Sequence, residues 1–147
     1  MNAILLIGLQ ASGKSTFYER NFASTHLRIS RDLLNTKPRE LNLIKACLDS
    51  KRDFVIDNTN ATIAHRAPYI ELAKAAGFRV IGYFFVPDVK ACLDRNSRRI
   101  GKAKIPVPGI YRTNKIIQPP THAEGFDNLY EVTLIGEDFH IFEMPRY

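Results

Sequence analysis

Apolar positions follow two rhythms along this chain, short continuous or alternating runs and recurrences every three to four residues, and the two take turns. Residues 3–7, AILLI, are unbroken apolar, the pattern of a strand covered on both faces. Helical signals run from Lys14 to about Ala23, followed by a short strand-like LRIS at residues 27–30. Leu41, Ile44 and Leu48 recur at helical spacing and predict a helix over residues 40–48. DFVIDNTN, from Asp53, reads as a third strand breaking into a polar turn. Residues 62–76 predict a helix stopped by Gly77, and FRVIGYFFV at residues 78–86 a fourth strand. Pro87 and Asp88 then open a helix reaching about Arg98. IGKAKIPVP, residues 100–108, is basic and proline-punctuated and predicts a mobile loop, with a further helix from about Gly109 to Ile117 ending in QPPT. The tail, NLYEVTLIGEDFHIFEM, predicts two strands joined at residues 136–138.

Strands alternating with helices predict an α/β fold whose sheet is mainly parallel and covered by helices on both faces. With 147 residues the chain suits one domain. Cys47 and Cys92 form no CxxC pair and read as buried thiols of a reducing compartment. No apolar run approaches the roughly 18 residues of a membrane span, so the expected location is cytoplasmic, with no membrane partner.

Charge changes the picture more by its placement than by its total. The net charge is +6, yet residues 79–117 alone carry nine lysines and arginines against Asp88 and Asp94, which leaves the remainder near neutral. A concentrated basic segment points to an anionic partner, either nucleotide phosphate or a nucleic-acid backbone.

The most specific chemistry is LIGLQASGKST, residues 6–16, in which Gly8, Gly13, Lys14 and Ser15 match G-x-x-x-x-G-K-[ST] between a buried strand and a helix. Glycines allow the backbone to wrap phosphate oxygens with inward N–H groups, and the helix N-terminus adds its positive end. The expected ATP-binding set is Gly8, Ser12, Gly13, Lys14, Ser15 and Thr16, with Lys14 reaching the β and γ phosphates and the Ser15 hydroxyl on Mg²⁺. This is a P-loop NTPase-type signature.

Carboxylates beyond the loop decide what receives the phosphoryl group. Asp32, in RISRD, follows the second strand, where a carboxylate could accept a proton from an attacking hydroxyl or merely cap a helix. Asp57 ends FVID, the position that orients Mg²⁺ or its waters, unless it caps a turn with Asn58. Arg95, Arg98 and Arg99 stand at helical spacing before the proline-rich loop, so residues of about 95–118 are expected to form a basic lid, or else a solvated basic helix end.

The order GLQASGKST, ISRD, VIDNTN with HR, DRNSRR, then IPVPGIYR and QPPTHAEGF resembles the polynucleotide 5′-hydroxyl kinase family, as in the kinase modules of the phage enzyme and of the animal bifunctional phosphatase/kinase. The resemblance covers roughly residues 3–126. It implies ATP-dependent transfer to the 5′-hydroxyl of DNA or RNA, with Asp32 as general base, Lys14 and Ser15 on phosphate and metal, and Arg95 and Arg99 on the nucleotide phosphates. It also matches the DNTN segment and Arg66 to the family's third-strand signature. Asn35 stands where the phage pattern has an arginine that touches acceptor phosphate. No aspartate-x-aspartate triplet of a phosphatase nucleophile occurs, so a kinase alone is expected. Two other readings stay open: a kinase of a small alcohol such as a nucleoside, sugar or antibiotic, and an ATP-dependent switch that is no kinase.

Overall fold

Strand β1 (Asn2–Ile7) runs through the middle of the molecule and is buried from Ala3 onward. Its side chains alternate between two cores. Ala3, Leu5 and Ile7 join Ile29, Ile44, Phe54, Ile56, Ile70 and Phe78 on one face, while Ile4 and Leu6 join Phe17, Val55, Phe85 and Val132 on the other. That division explains an uninterrupted apolar run: both faces of the strand are covered.

The computed structural model describes residues 1–146; Tyr147 and the side chain of Lys102, one of the nine basic residues counted above, lie outside the described residues. After β1 come α1 (Lys14–Asn21), β2 (Leu27–Ile29), α2 (Arg31–Leu34), α3 (Lys37–Asp49), β3 (Phe54–Asp57), α4 (Ile63–Ala75) and β4 (Arg79–Phe85). Then follow α5 (Val89–Ser97), a 3-10 turn (Gly101–Ala103), α6 (Val107–Ile116), a second 3-10 turn (His122–Glu124), β5 (Asn128–Ile135) and β6 (Asp138–Glu143). The sheet order is β2-β3-β1-β4-β5-β6, parallel through β5, with β6 antiparallel at the edge. This is the mainly parallel α/β sheet that the alternation of rhythms predicts.

Parallel pairing puts the carboxyl ends of β1, β2, β3 and β4 along one rim. The chain leaves β1 toward β2 and β3 on one side and continues with β4 on the other, so the crevice opens where strand order reverses. Each strand therefore delivers its following loop to that crevice.

Some elements differ from the sequence reading. A short helix, α2, occupies residues 31–34, to which that reading assigned no element, with Ser30 as its N-cap and Asn35 closing it at φ 69°. Helix α3 begins at Lys37 rather than residue 40, because Thr36 caps it and Pro38 fits its first turn. Helix α6 begins at Val107, inside the segment read as a mobile loop, because Pro108 falls in its first turn, where a missing N–H removes no helical bond.

Candidate active site

The phosphate loop grows out of β1. Gly8 N–H donates to Thr59 O at 3.0 Å, fixing the loop's base against the turn after β3. A Cβ at Gly8 would stand 2.8 Å from Phe85 Cβ, so only glycine fits. Gly13 adopts φ 99°, a left-handed conformation that L side chains resist, immediately before α1, and the ring of Phe139 closes the space below it. Residues 8–16 thus form the turn that joins the carboxyl end of β1 to the start of α1.

Lys14 fills the centre. Its Nζ donates to Gly8 O at 3.0 Å, to Leu9 O at 2.7 Å and, at 3.4 Å, to Ser12 Oγ. Burial pushes its ammonium down to about 8, against the opposing pull of Asp57 and Asp32 and with a further push from Arg99. Three oxygens of its own loop thus hold this buried ammonium. Thr16 lies exposed in the first turn of α1.

Ser15 and Asp57 meet across the loop. Ser15 Oγ donates to Asp57 Oδ2 at 3.1 Å. A hydroxyl beside a carboxylate supplies hard oxygen donors of the kind Mg²⁺ takes, so the pair fits that ion. Among the described residues no group of three or more His, Cys, Asp or Glu converges, so such an ion would draw its other ligands from phosphate and water. Arg28, which the sequence reading passed over, sits on the same pair, Nε 2.8 Å from Asp57 Oδ2 and Nη2 2.9 Å from Ser15 Oγ.

Asp32 lies exposed in α2, and the cap of that helix is Ser30. Its neighbourhood is organised by Glu40, a buried carboxylate of α3 that went unnoticed in the sequence. Glu40 accepts from Tyr69 OH at 2.5 Å, from Asn58 Nδ2 at 2.8 Å and from Arg31 Nη2 at 3.0 Å. Asn58 Oδ1 in turn accepts from Arg31 N at 2.9 Å. Burial alone would raise the Glu40 carboxyl, but these three donors together hold it below its ordinary range. Burial and the adjoining carboxylate push Tyr69 up to about 12. This network ties the end of β3, α3 and α4 to the residue just before Asp32. A buried acid at a helix start looks, in sequence, like any surface glutamate.

Residues 95–118 lie against the loop. Arg95 Nη1 donates to Ala11 O at 3.0 Å, and Gln10 Nε2 to Thr113 Oγ1 at 3.0 Å. Leu9, Ala11, Cys92 and Ile110 form a small core beneath them. Asn96, buried, exchanges two hydrogen bonds with the Ile105 backbone and so closes the turn between α5 and α6. Arg99 donates to Ala103 O at 3.1 Å, and Arg98 pairs with Asp94 on the surface.

The DNTN segment and Arg66 hold the frame. Asn60 Nδ2 donates to Leu6 O at 2.7 Å, clamping β1 to the turn after β3. Arg66 is fully buried in a two-pronged pair with Glu124 at 2.7 and 3.1 Å, and also donates to Asn60 O and Gln118 O.

Known proteins share this chain's family and fold. The chain matches the AAA domain family over residues 4–109. It is 28% identical over 133 residues to a bifunctional polynucleotide phosphatase/kinase of Schizosaccharomyces pombe, covering 88% of this chain and 33% of that protein. It is 31% identical over 140 residues to a protein of Acanthamoeba polyphaga mimivirus given that description provisionally, covering 88% and 32%. The chain thus spans about a third of the length of these curated relatives. Among solved structures, a gluconokinase from Sinorhizobium meliloti 1021 shares the fold with a TM-score of 0.63 and 17% identity, over 90% of this chain and 82% of that one. Since the family match includes the phosphate loop and the strands β1 to β4 that flank it, the chain belongs to the AAA domain family of P-loop proteins, as a relative of the polynucleotide kinases.

Proposed function

We propose that this chain is an ATP-dependent kinase that transfers the γ-phosphoryl group to the 5′-hydroxyl of a DNA or RNA end. The observation that carries this reading is the placement of Asp32: an exposed carboxylate in the helix that follows β2, on the same rim of the sheet to which β1 delivers the phosphate loop and its buried Lys14. A nucleotide switch needs the ammonium alone; phosphoryl transfer to an alcohol needs a base as well.

In this mechanism residues 8–16 cradle the β and γ phosphates, and Lys14 exchanges its loop carbonyls for phosphate oxygens. Ser15 and Asp57 would hold Mg²⁺, which neutralises charge on the transferring group. Asp32 takes the proton of the acceptor hydroxyl as its oxygen bonds to the γ-phosphorus. The bond from that phosphorus to the bridging oxygen breaks, and ADP leaves. Residues 95–118 act as the lid, with Arg95 and Arg99 turning from Ala11 O and Ala103 O toward the phosphates. The description of the curated relatives supports a polynucleotide acceptor, and the exposed Arg31 beside Asp32 supplies a cation for its backbone.

The test is an acceptor screen with labelled ATP, offering 5′-hydroxyl DNA and RNA oligonucleotides beside single nucleosides and sugars. Label transferred to oligonucleotide ends supports the reading. Transfer only to a nucleoside or sugar replaces it with a small-alcohol kinase, and ATP hydrolysis without transfer replaces it with a switch.

A further inference from the structure

Arg28 occupies an unusual place. It lies on β2, the strand at one edge of the sheet, and pairs in register with Val55. Its guanidinium crosses toward the phosphate loop and engages both members of the candidate metal pair, Asp57 Oδ2 at 2.8 Å and Ser15 Oγ at 2.9 Å. Asp57 is almost wholly buried there, its side chain 3% exposed, while that of Arg28 is 26% exposed. A buried carboxylate without a counter-charge is costly, and Arg28 supplies that charge. Its other face is turned to the Tyr18 ring, with the guanidinium carbon 6.0 Å from the ring centroid. The guanidinium is thus steered by an aromatic surface on one side and by two oxygens on the other.

Resting on the reading of Ser15 and Asp57 as metal ligands, we propose that Arg28 is a built-in competitor for the divalent cation: a positioning residue that holds this pair together and yields it when metal and nucleotide arrive. Two physical facts drive the exchange. A guanidinium and a divalent ion sharing the same two oxygens repel each other, so one weakens the other. Linkage makes the effect reciprocal: whatever Arg28 contributes to the metal-free protein, the entering ion must overcome. The arrangement sets a threshold of divalent ion below which the nucleotide is held weakly, and it prevents Asp57 from standing uncompensated when none is bound.

The test measures ADP binding by calorimetry across a series of Mg²⁺ concentrations, together with thermal unfolding without metal or nucleotide. Arg28→Gln keeps length and polarity but removes charge. It is expected to lower the Mg²⁺ concentration that half-maximally tightens ADP binding by about tenfold, equivalent to one lost close charge contact. The same variant is expected to unfold at lower temperature when metal-free, with the difference shrinking in saturating Mg²⁺ and ADP. Arg28→Lys keeps the charge without the two-pronged reach and is expected to fall between, which separates competition from a general packing defect. A Mg²⁺ requirement in Arg28→Gln equal to or above that of the unsubstituted protein overturns the proposal alone. ADP binding indifferent to Mg²⁺ in every form overturns the metal reading and this inference with it. Neither outcome depends on the acceptor, so failure to phosphorylate an oligonucleotide is distinguishable from both.

Discussion

Asp32 and Glu40 are two carboxylates on adjacent helices with opposite surroundings, and their surroundings assign different work. Asp32 is exposed at the crevice, whereas Glu40 is buried under three donors. Asp32→Asn preserves size and removes the proposed base, so transfer to a 5′-hydroxyl oligonucleotide is expected to slow by at least about a hundredfold while ADP affinity is unchanged. Transfer at the original rate in single-turnover assays would remove Asp32 from the chemistry. Glu40 yields a pH prediction. Its folded carboxyl holds a proton less tightly than the unfolded one, whose ordinary value is 4.5. Its contribution is therefore complete above about pH 4.5 and is lost as pH falls through the lower folded value. Urea titrations of Glu40→Gln are expected to show reduced stability at neutral pH, by about 1.5–3 kcal/mol, and a shallower loss as pH falls below 4.5 than in the unsubstituted protein. An identical acid profile in the two proteins would contradict that assignment. Arg28 and Glu40 were illegible in the sequence for one reason: a charged residue's burial depends on what chain segments far along the sequence bring to it.

Helices α5 and α6 meet the phosphate loop as a pair, and one buried amide sets their separation. Asn96 satisfies both the N–H and the C=O of Ile105. Asn96→Ala leaves these two half-buried groups without their side-chain partner, at about 1 kcal/mol each, and frees the turn that carries Arg99. Trypsin cleavage after Arg98, Arg99 or Lys104 is therefore expected to accelerate about tenfold or more in that variant, with the protection restored least by ADP. Unchanged cleavage would mean that apolar packing through Leu9, Cys92 and Ile110 holds the segment by itself. On the opposite side, Arg66 and Glu124 form a pair with 0% and 6% side-chain exposure, unlike the surface pair of Arg98 and Asp94. Glu124→Ala strands a buried guanidinium and is expected to cost about 3–5 kcal/mol in chemical denaturation, where the surface pair is worth about 0.3–0.5. At this scale the sequence was legible wherever periodicity was long enough. The four residues of α2 contain no full repeat, and Pro106 at the cap and Pro108 in the first turn of α6 read as a break although they fit a helix start.

Across the whole molecule, an excess of positive charge is carried by the segment from Lys90 to Lys115, which spans α5 and α6, with Arg28 on β2 and Arg31 on α2 at the other end of the strand order. If a polynucleotide lies across this surface, its affinity is expected to fall with added salt, with a slope of roughly −0.7 for each phosphate neutralised on a single strand. Fluorescence anisotropy with a labelled 5′-hydroxyl oligonucleotide between about 50 and 200 mM salt reads that slope, and a flat response would favour a small, uncharged acceptor. The sequence by itself determined the alternation of strand and helix, the doubly covered β1 and the phosphate loop, because each is encoded within a dozen neighbouring residues by apolar period or by the backbone freedom of Gly8 and Gly13. It also placed Asp32 and Asp57 at strand ends. Only the tertiary structure decided which charges face one another: that Asp57 is shared by Ser15 and Arg28, that Glu40 anchors Arg31, and that Arg95 is tethered to Ala11. Those pairings depend on the order β2-β3-β1-β4, which carries residues dozens of positions apart to one rim of a sheet, and no local pattern records that distance.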